Sequence, residues 1–230
     1  MNSIVRRKPK TPRPTSRANG DATRERLLDA AEALFGEQTF DTVSLRDITS
    51  KAGVAAALSS YHFGSKEALF RECVARRAAV LNELRRERLS RLGPAASAAE
   101  ILDAFSRPLY EQIRQGEQGW SSYLHIVAKL THDTQWMALL REYYHETAEM
   151  FIDRLALALP RIPREALLRG FALTLNVILQ TLSRNRRIDS ISSGAISADD
   201  LELAYDGLLR FCVAGLEGLA DKETSTVERV

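Results

Sequence analysis

The amino-acid sequence predicts an all-α protein of about nine helices. Apolar residues recur every three or four positions along most of the chain, whereas no stretch alternates apolar and polar residues as a half-buried strand does. Capping residues and helix breakers separate these apolar patterns. The chain has 230 residues, 45% of them hydrophobic, which suffices for a buried core. We therefore expect three short N-terminal helices followed by a larger helical bundle.

The segment that precedes the helices, residues 1–20, is basic. It contains six arginines and lysines and no acidic residue, and Pro9, Pro12 and Pro14 oppose a helix. We expect a disordered arm that is attracted to nucleic-acid phosphates, although a solubilising tail would have the same composition. The chain shows neither a secretory signal nor an apolar run of about 20 residues, so we expect a cytoplasmic protein with no membrane partner.

The first helices are defined by caps and by apolar spacing. "TRERLLDAAEALF" predicts a first helix over residues 22–37. Ser44 and Asp47 form a capping box at the start of a second helix, and Gly53 stands where a left-handed residue ends one. A third short helix follows over residues 55–61. The expected N-terminal domain is residues 21–68.

Six further helices follow, up to a polar tail over residues 221–230 that we expect to be flexible. Their boundaries are capping residues and helix breakers, in chain order Ser65, Gly93, Ser97, Gly116, Gly119, Pro160, Pro163, Ser197 and Asp200. We expect a kink at Pro108 and a polar loop between Leu182 and Ser197. Residues 69–220 form the second expected domain.

The sequence lacks the usual motifs of catalysis and metal binding. Cys73 and Cys212 stand far apart within apolar patterns, as buried free thiols do. The four histidines form no metal-binding motif, and no phosphate loop or nucleophile motif occurs. We therefore expect no catalytic residue, no metal and no cofactor. An all-helical enzyme using groups such as His125 and His145 is the disfavoured alternative.

A capped short helix, a glycine turn and another short helix form the pattern of a helix-turn-helix. The second helix of such a pair enters the major groove, so its exposed residues must be small enough to approach base edges. The residues of this type in the predicted third helix are Ala55, Ala56, Ala57, Ser59 and Ser60. Taken alone, these residues are equally consistent with small side chains that only fill a helix and have no role in binding.

Three stretches in order, "TRERLLDAAEALF", "FDTVSLRDITSKAGV" and "YHFGSKEALF", resemble the DNA-binding domain of the TetR family of bacterial transcriptional regulators. The resemblance covers Thr23 to Val74. It implies contacts to DNA phosphates, to the DNA backbone or to a base edge for Thr42, Ser44, Arg46, Tyr61, His62 and Lys66. The family often has Ser, then Gly-Thr-Leu-Tyr, before Tyr-His-Phe, where this chain has "AAALSS". The third helix is therefore expected to depend more on DNA shape, with Arg46 and the basic arm adding readout.

The resemblance also implies a homodimer that packs through the last two helices and a small-molecule effector in the bundle. Gly207, Gly215 and Gly218 in the last helix independently favour close approach of another helix. The candidate effector-binding residues are Phe105, Trp120, Tyr123, Met137, Tyr144, Phe171 and Asn176. Ordinary core packing is the alternative for each of them. Since no charge cluster accompanies them, a hydrophobic or aromatic effector is expected.

The expected function is a ligand-responsive repressor that binds a near-palindromic double-stranded DNA operator and releases it when the effector binds. An activator, or a regulator that needs no ligand, remains an alternative with the same fold. A non-specific nucleic-acid coating protein, driven by the basic arm, is a further alternative, and the near-neutral net charge of the rest of the chain disfavours it.

Overall fold

The computed structural model describes residues 16–116 and 119–220, and over these ranges the chain forms ten α-helices, one 3-10 turn and no strand. The helices are α1 (Ser16–Glu37), α2 (Leu45–Ala52), α3 (Ala57–Phe63), α4 (Lys66–Arg91), α5 (Ala98–Arg114), α6 (Trp120–Leu130), α7 (Met137–Ala158), α8 (Arg164–Leu182), α9 (Arg187–Ile191) and α10 (Leu201–Glu217). The 3-10 turn, Thr134–Trp136, directly precedes α7. The predicted all-α class is confirmed.

Two helix predictions differ from the structure. Helix α1 begins at Ser16, so residues 16–20 are helical and the expectation of a disordered arm was wrong for them. The remainder of that arm, residues 1–15, and the tail at 221–230 lie outside the described residues. The predicted polar loop contains α9, which has five residues and no buried side chain, and therefore gave no apolar pattern to detect.

The buried apolar residues form two clusters, one at each end of the molecule's long helix α4. The N-terminal cluster unites α1 to α4 with side chains that come from much later in the chain, namely Ile126, Leu130, Trp136 and Leu139. The larger cluster lies among α4, α5, α6, α7, α8 and α10. The expected domain boundary after residue 68 therefore falls inside α4, and the N-terminal core is completed by α6 and α7.

Helix α6 contacts the C-terminal end of α1 and holds it by hydrogen bonds. The Lys129 Nζ donates hydrogen bonds to the backbone oxygens of Phe35, Gly36 and Gln38, over 3.0, 2.7 and 2.9 Å. A Cβ on Gly36 would stand 2.7 Å from the Cβ of Ser122, so only glycine permits this approach. We call these contacts the α1–α6 joint.

A buried ion cluster fastens α1 to α4. Glu32 is 1% exposed and accepts hydrogen bonds from Arg76 Nη2 at 2.8 Å and from Arg77 Nε and Nη2 at 2.9 Å each. Gly119, at the start of α6, has φ +100°, and a Cβ there would collide with the Glu32 carboxylate. Three helices therefore meet at one buried carboxylate whose charge is balanced by two guanidinium groups.

Both cysteine thiols of the chain are buried. Cys73 and Cys212 are buried free thiols, and burial raises the pKa of both, which keeps them protonated. Within the described ranges, no three His, Cys, Asp or Glu side chains gather as a metal site would require. No helix there is long and apolar enough to cross a membrane.

Candidate DNA-binding surface and ligand cavity

The start of α2 is fixed by the predicted capping box. The Asp47 N–H donates to Ser44 Oγ at 3.1 Å, and the Ser44 N–H donates to Asp47 Oδ2 at 3.0 Å. The Ser44 hydroxyl also donates to that carboxylate, and together these bonds hold the Asp47 pKa below its ordinary value. Because the bonds favour the ionised form, their contribution to stability is present above the ordinary pKa and is lost as the pH falls through the lowered one.

The turn between α2 and α3 contains one residue in the left-handed conformation. Gly53 has φ 63° and ψ 41°, and the Val54 N–H closes the turn onto the Thr49 oxygen at 3.1 Å. Arg26 of α1 holds the turn from outside, since its Nη2 donates to the backbone oxygens of Ala52 and, at 2.9 Å, of Gly53. The angle between α2 and α3 is therefore set by the turn and by α1 together.

Most residues predicted to touch DNA lie exposed around α2 and α3. The exposed ones are Thr42, Ser44, Arg46, Ala55, Ala56, Ala57, Ser60 and Tyr61. Tyr61 is 80% exposed, and its ring meets the half-buried His62 ring edge to face at 5.1 Å. A large exposed aromatic beside small residues and an arginine is a surface that can approach a DNA groove and its sugar-phosphate edges. We call these residues the reading surface.

Two predictions about α3 need correction. Ser59 is 1% exposed and donates to the Ala56 oxygen at 3.2 Å, so it faces the core and cannot meet a base edge. Helix α3 runs over Ala57–Phe63 rather than 55–61, which leaves Ala55 and Ala56 in the turn before it. Ala56 stands at the N-cap position of α3 and provides no side-chain cap. Because no capping residue marks the start of α3, the predicted start lay two residues too early.

Lys66 has an internal role that the resemblance did not imply. Its Nζ donates to the backbone oxygens of Phe40 at 2.9 Å and Val43 at 3.0 Å, and it lies 4.2 Å from the centroid of the Phe40 ring. The lysine therefore shapes the loop that carries Thr42 and Ser44. A phosphate contact through its third N–H stays a prediction.

A cavity of about 170 Å³ lies within the larger cluster. Its walls are mostly apolar side chains from α4 to α8, namely Leu81, Phe105, Leu109, Leu124, Val127, Leu140, Ala148, Leu175, Ile178 and Leu179. Arg85, Tyr123, Thr131, Tyr144 and His145 provide its polar groups. Of the seven predicted effector residues, Phe105, Tyr123 and Tyr144 line this cavity.

The other four predicted effector residues lie elsewhere. Trp120 packs behind Tyr123, with ring centroids 5.5 Å apart, and Phe171 packs behind Phe105 at 5.2 Å. Met137 is 41% exposed at the start of α7. Asn176 is exposed on α8 and donates to the Ala172 oxygen at 3.2 Å. Helical spacing alone did not reveal which of these residues point inward and which outward.

Arg85, which is the charged group of the cavity, was not among the predicted effector residues. Its Nε donates to the Phe105 oxygen at 2.9 Å, and its guanidinium carbon lies 3.8 Å from the centroid of the Phe105 ring. Burial lowers its pKa to about 10, so the guanidinium is still charged at neutral pH. The available signal was its position, because Arg85 stands four residues after Leu81 in the buried stripe of α4.

The two cavity tyrosines are bonded to each other. Their hydroxyl oxygens lie 2.6 Å apart. Burial raises the pKa of Tyr123 to about 12 and that of Tyr144 well above its ordinary value, so both hydroxyls stay protonated. The pair is therefore a neutral hydrogen-bonding group within an apolar wall.

The outward faces of α8 and α10 expose apolar residues at helical spacing. Leu173 on α8 is 65% exposed, and on α10 Leu203 and Phe211 are 71% and 68% exposed. Gly207 and Gly215 lie on the same exposed side of α10, where an added Cβ would meet nothing within 4 Å. Their glycine identity is thus not required by packing within one chain.

Two models of protein domains match the chain. Residues 27–73 match the model described as bacterial regulatory proteins, tetR family, and residues 103–215 match the Tetracyclin repressor-like C-terminal domain. The chain belongs to the TetR family. The first match contains α2 and α3 with the whole reading surface, and the second contains most of the cavity residues.

Curated relatives and solved structures agree with this assignment. The chain is 37% identical over 81 residues to the HTH-type transcriptional regulator BetI of Agrobacterium fabrum, which covers 35% of this chain and 38% of the relative. It is 26% identical over 149 residues to BetI of Rhizobium meliloti, covering 65% and 72%. The chain thus aligns with well under half of the first relative's length.

Among solved structures, a transcriptional regulator of Pseudomonas aeruginosa PAO1 has a TM-score of 0.57 at 17% identity, covering 86% of this chain and 89% of that one. AmtR of Mycobacterium smegmatis has a TM-score of 0.54 at 21% identity, covering 93% and 96%. At these identities the likeness shows a shared fold. The domain matches make the chain a TetR-family transcriptional regulator.

Proposed function

We propose that this regulator is a ligand-responsive repressor, which binds a near-palindromic operator as a homodimer and releases it when a small, mostly apolar effector enters the cavity. The observation that carries the proposal is the placement of α6. Tyr123 of α6 lines the cavity, and Lys129 of the same helix clasps the end of α1 in the joint. Six residues separate them, about 9 Å along a helix axis.

The reading surface supports the DNA-binding half of the proposal. A groove needs an exposed second helix with small side chains, and α3 presents Ala57 and Ser60 outward. The capping box leaves the N-terminal end of α2 exposed, where the helix dipole favours an anionic phosphate. The Tyr61 ring, which is 80% exposed, would lie against the DNA backbone.

The exposed faces of α8 and α10 support a homodimer. Large apolar side chains exposed at helical spacing are costly in water and are typical of a helix interface. A two-fold partner packed there would form a four-helix bundle, and the two α3 helices would then stand about one DNA turn, ~34 Å, apart. Such an arrangement requires an inverted-repeat operator.

Release follows from the contact between the cavity helices and the N-terminal part of the chain, residues 16–74, which we call the head. An effector that pushes on Tyr123 displaces α6, and the joint transmits that displacement to α1 and the reading surface. The change in operator affinity can be no larger than the effector's preference for the released arrangement over the bound one. Besides the α1–α6 joint, α1 is held by the buried ion cluster, in which Glu32 contacts Arg76 and Arg77 of α4. We propose that α1 rotates about this second contact when α6 moves.

The experiment that tests this proposal is a selection of sheared genomic DNA by the purified full chain at physiological salt, followed by sequencing. We expect a sharp inverted repeat with half-site centres about one turn apart. An operator overlapping a promoter would support repression, whereas one placed upstream of it would favour activation. Enrichment without any shared sequence would contradict specific reading.

A matched pair of variants then tests the reading surface. Arg46→Ala is expected to weaken binding to the selected operator by about 1–3 kcal/mol and to relax one position of the repeat. Arg141→Ala, which changes an exposed arginine on α7, is expected to leave operator affinity unchanged. Equal losses in both variants would indicate a general charge effect rather than base reading.

A further inference from the structure

The cavity contains a buried positive charge that no acidic side chain balances. Arg85 is 6% exposed, and no Asp or Glu is among the described residues that line the cavity. Its Nε is used by the Phe105 oxygen, but within the described ranges neither Nη atom donates a hydrogen bond. A buried charge is normally paired, because leaving it unpaired is costly. Both Nη groups of this cavity-lining guanidinium therefore lack a hydrogen-bond acceptor among the described residues.

The tyrosine pair beside Arg85 adds another unpaired donor. Two hydroxyls bonded to each other use one of their two protons, since one hydroxyl donates and the other accepts. The remaining O–H has no acceptor among the described residues. Arg85, Tyr123 and Tyr144 line the same cavity, so the three polar groups border one enclosed space. The cavity thus offers a concentration of donors and no matching anion.

The apolar wall and the volume of the cavity limit the apolar part of a ligand that can bind there. Its wall is built of leucines, Phe105, Val127 and Ile178. Its volume of about 170 Å³ is comparable to that of an engineered apolar cavity of about 150 Å³ that binds benzene. A single ring or a short hydrocarbon chain therefore suits it.

We propose that the effector is a small amphipathic carboxylate, whose oxygens accept hydrogen bonds from Arg85 and the tyrosine pair while its apolar part lies against the leucine wall. The inference rests on the proposed function, because it names the chemical class of the effector. A guanidinium and a carboxylate match in geometry and charge, so one ligand group satisfies both free Nη donors. A cationic ligand would bring a second positive charge into the same apolar site.

The test uses matched probes that differ in charge and hardly in shape. Octanoate is compared with octanamide and octylamine, and phenylacetate with phenylacetamide, by calorimetric titration into the purified full chain. We expect each acid to bind at least about tenfold more tightly than its amide, and octylamine to bind most weakly.

Variants then locate the preference. Arg85→Gln removes the charge while keeping an N–H for the Phe105 oxygen, and Arg85→Met removes both. In either variant we expect the preference for acid over amide to fall below about threefold, with amide affinity changed by less than about threefold. Arg86→Gln, one residue along α4 and bonded to Glu83 outside the cavity, is the matched control and is expected to keep the full preference.

A melting experiment on the ligand-free variants separates binding from folding. Because an uncompensated buried charge is removed, Arg85→Met is expected to melt no lower than the unchanged protein. If it fails to fold, Arg85→Gln alone decides the outcome.

Several results would overturn the inference. They are equal binding of acid and amide, tightest binding of the amine, an acid preference that survives in Arg85→Gln, and no binding of any probe. None of these results removes the operator selected from genomic DNA. The proposed function fails separately, if no shared sequence is selected.

Discussion

Replacing Lys129 with methionine should loosen the head from the bundle. Methionine keeps most of the aliphatic stem but donates none of the three hydrogen bonds that Lys129 makes to the end of α1. Those three bonds reach backbone oxygens of the last turn of α1 and of Gln38 just beyond it. Since α1 belongs to the head and α6 lines the cavity, the substitution acts on the contact between them.

The structure allows the size of the effect to be worked out. A hydrogen bond from a charged donor contributes about 1.5–3 kcal/mol. The bonds to Phe35 and Gly36 are partly buried, whereas the bond to Gln38 is exposed and water replaces it readily. Ordering the lysine and burying part of its charge, which lowers its pKa, offset some of the gain. We therefore expect a net loss of about 2 kcal/mol, or a melting temperature lower by about 4–8 °C.

Thermal unfolding followed by circular dichroism, at one fixed protein concentration, measures this shift. His125→Met is the control, because His125 is exposed on the same helix and makes no hydrogen bond within the described ranges. It should change the melting temperature by less than about 2 °C. If Lys129→Met melts within about 1 °C of the unchanged protein, water satisfies those carbonyls equally well, and the joint does not hold the head.

Five further substitutions test three other parts of the structure. Gly36→Ala should cost about 1–3 kcal/mol in chemical denaturation, since its methyl group meets the backbone of α6, and a neutral result would contradict that close crossing. Ser44→Ala and Ser97→Ala should each cost about 1 kcal/mol by removing a cap, but only Ser44→Ala should weaken operator binding in a fluorescence anisotropy titration. Parallel losses of affinity would remove Ser44 from the reading surface. Gly207→Ala and Gly215→Ala should each stabilise an isolated α10 by about 1 kcal/mol yet raise the dimer dissociation constant in sedimentation, and unchanged dimerisation would argue against close packing there.

Local signals in the sequence predicted the elements well. The capping box at Ser44, the cap at Ser97 and the left-handed Gly53 stand in the structure as expected. Each depends on residues within four positions of one another, so the sequence contains the whole interaction. The start of α3 was misplaced because Ala56 provides no side-chain cap. The start of α1 was misplaced for the related reason that its first turns carry no apolar pattern.

The cavity was predicted only in part, because its shape depends on how helices from distant parts of the chain face one another. Asn176 and Phe171 stand five residues apart on α8, yet one lies exposed and the other is buried. Aromatic residues at helical spacing indicated a core without indicating its inner surface. Arg85 was missed because a charged residue was assumed to face water. A basic residue inside an apolar stripe was the signal that should have drawn attention to it.

The shared N-terminal core limits how this regulator can be rebuilt. Trp136 of the 3-10 turn and Leu139 of α7 complete the packing around Phe40 and Phe70 of the head. The centroid of the Trp136 ring lies 5.0 and 4.7 Å from the centroids of those two rings. The head is thus not an interchangeable module. A chimaera that joins residues 16–74 to the bundle of another regulator would keep its DNA contacts but lose part of its own interior. Engineers who wish to transfer its operator specificity would need to carry the facing surfaces of α6 and α7 with it, or redesign them together.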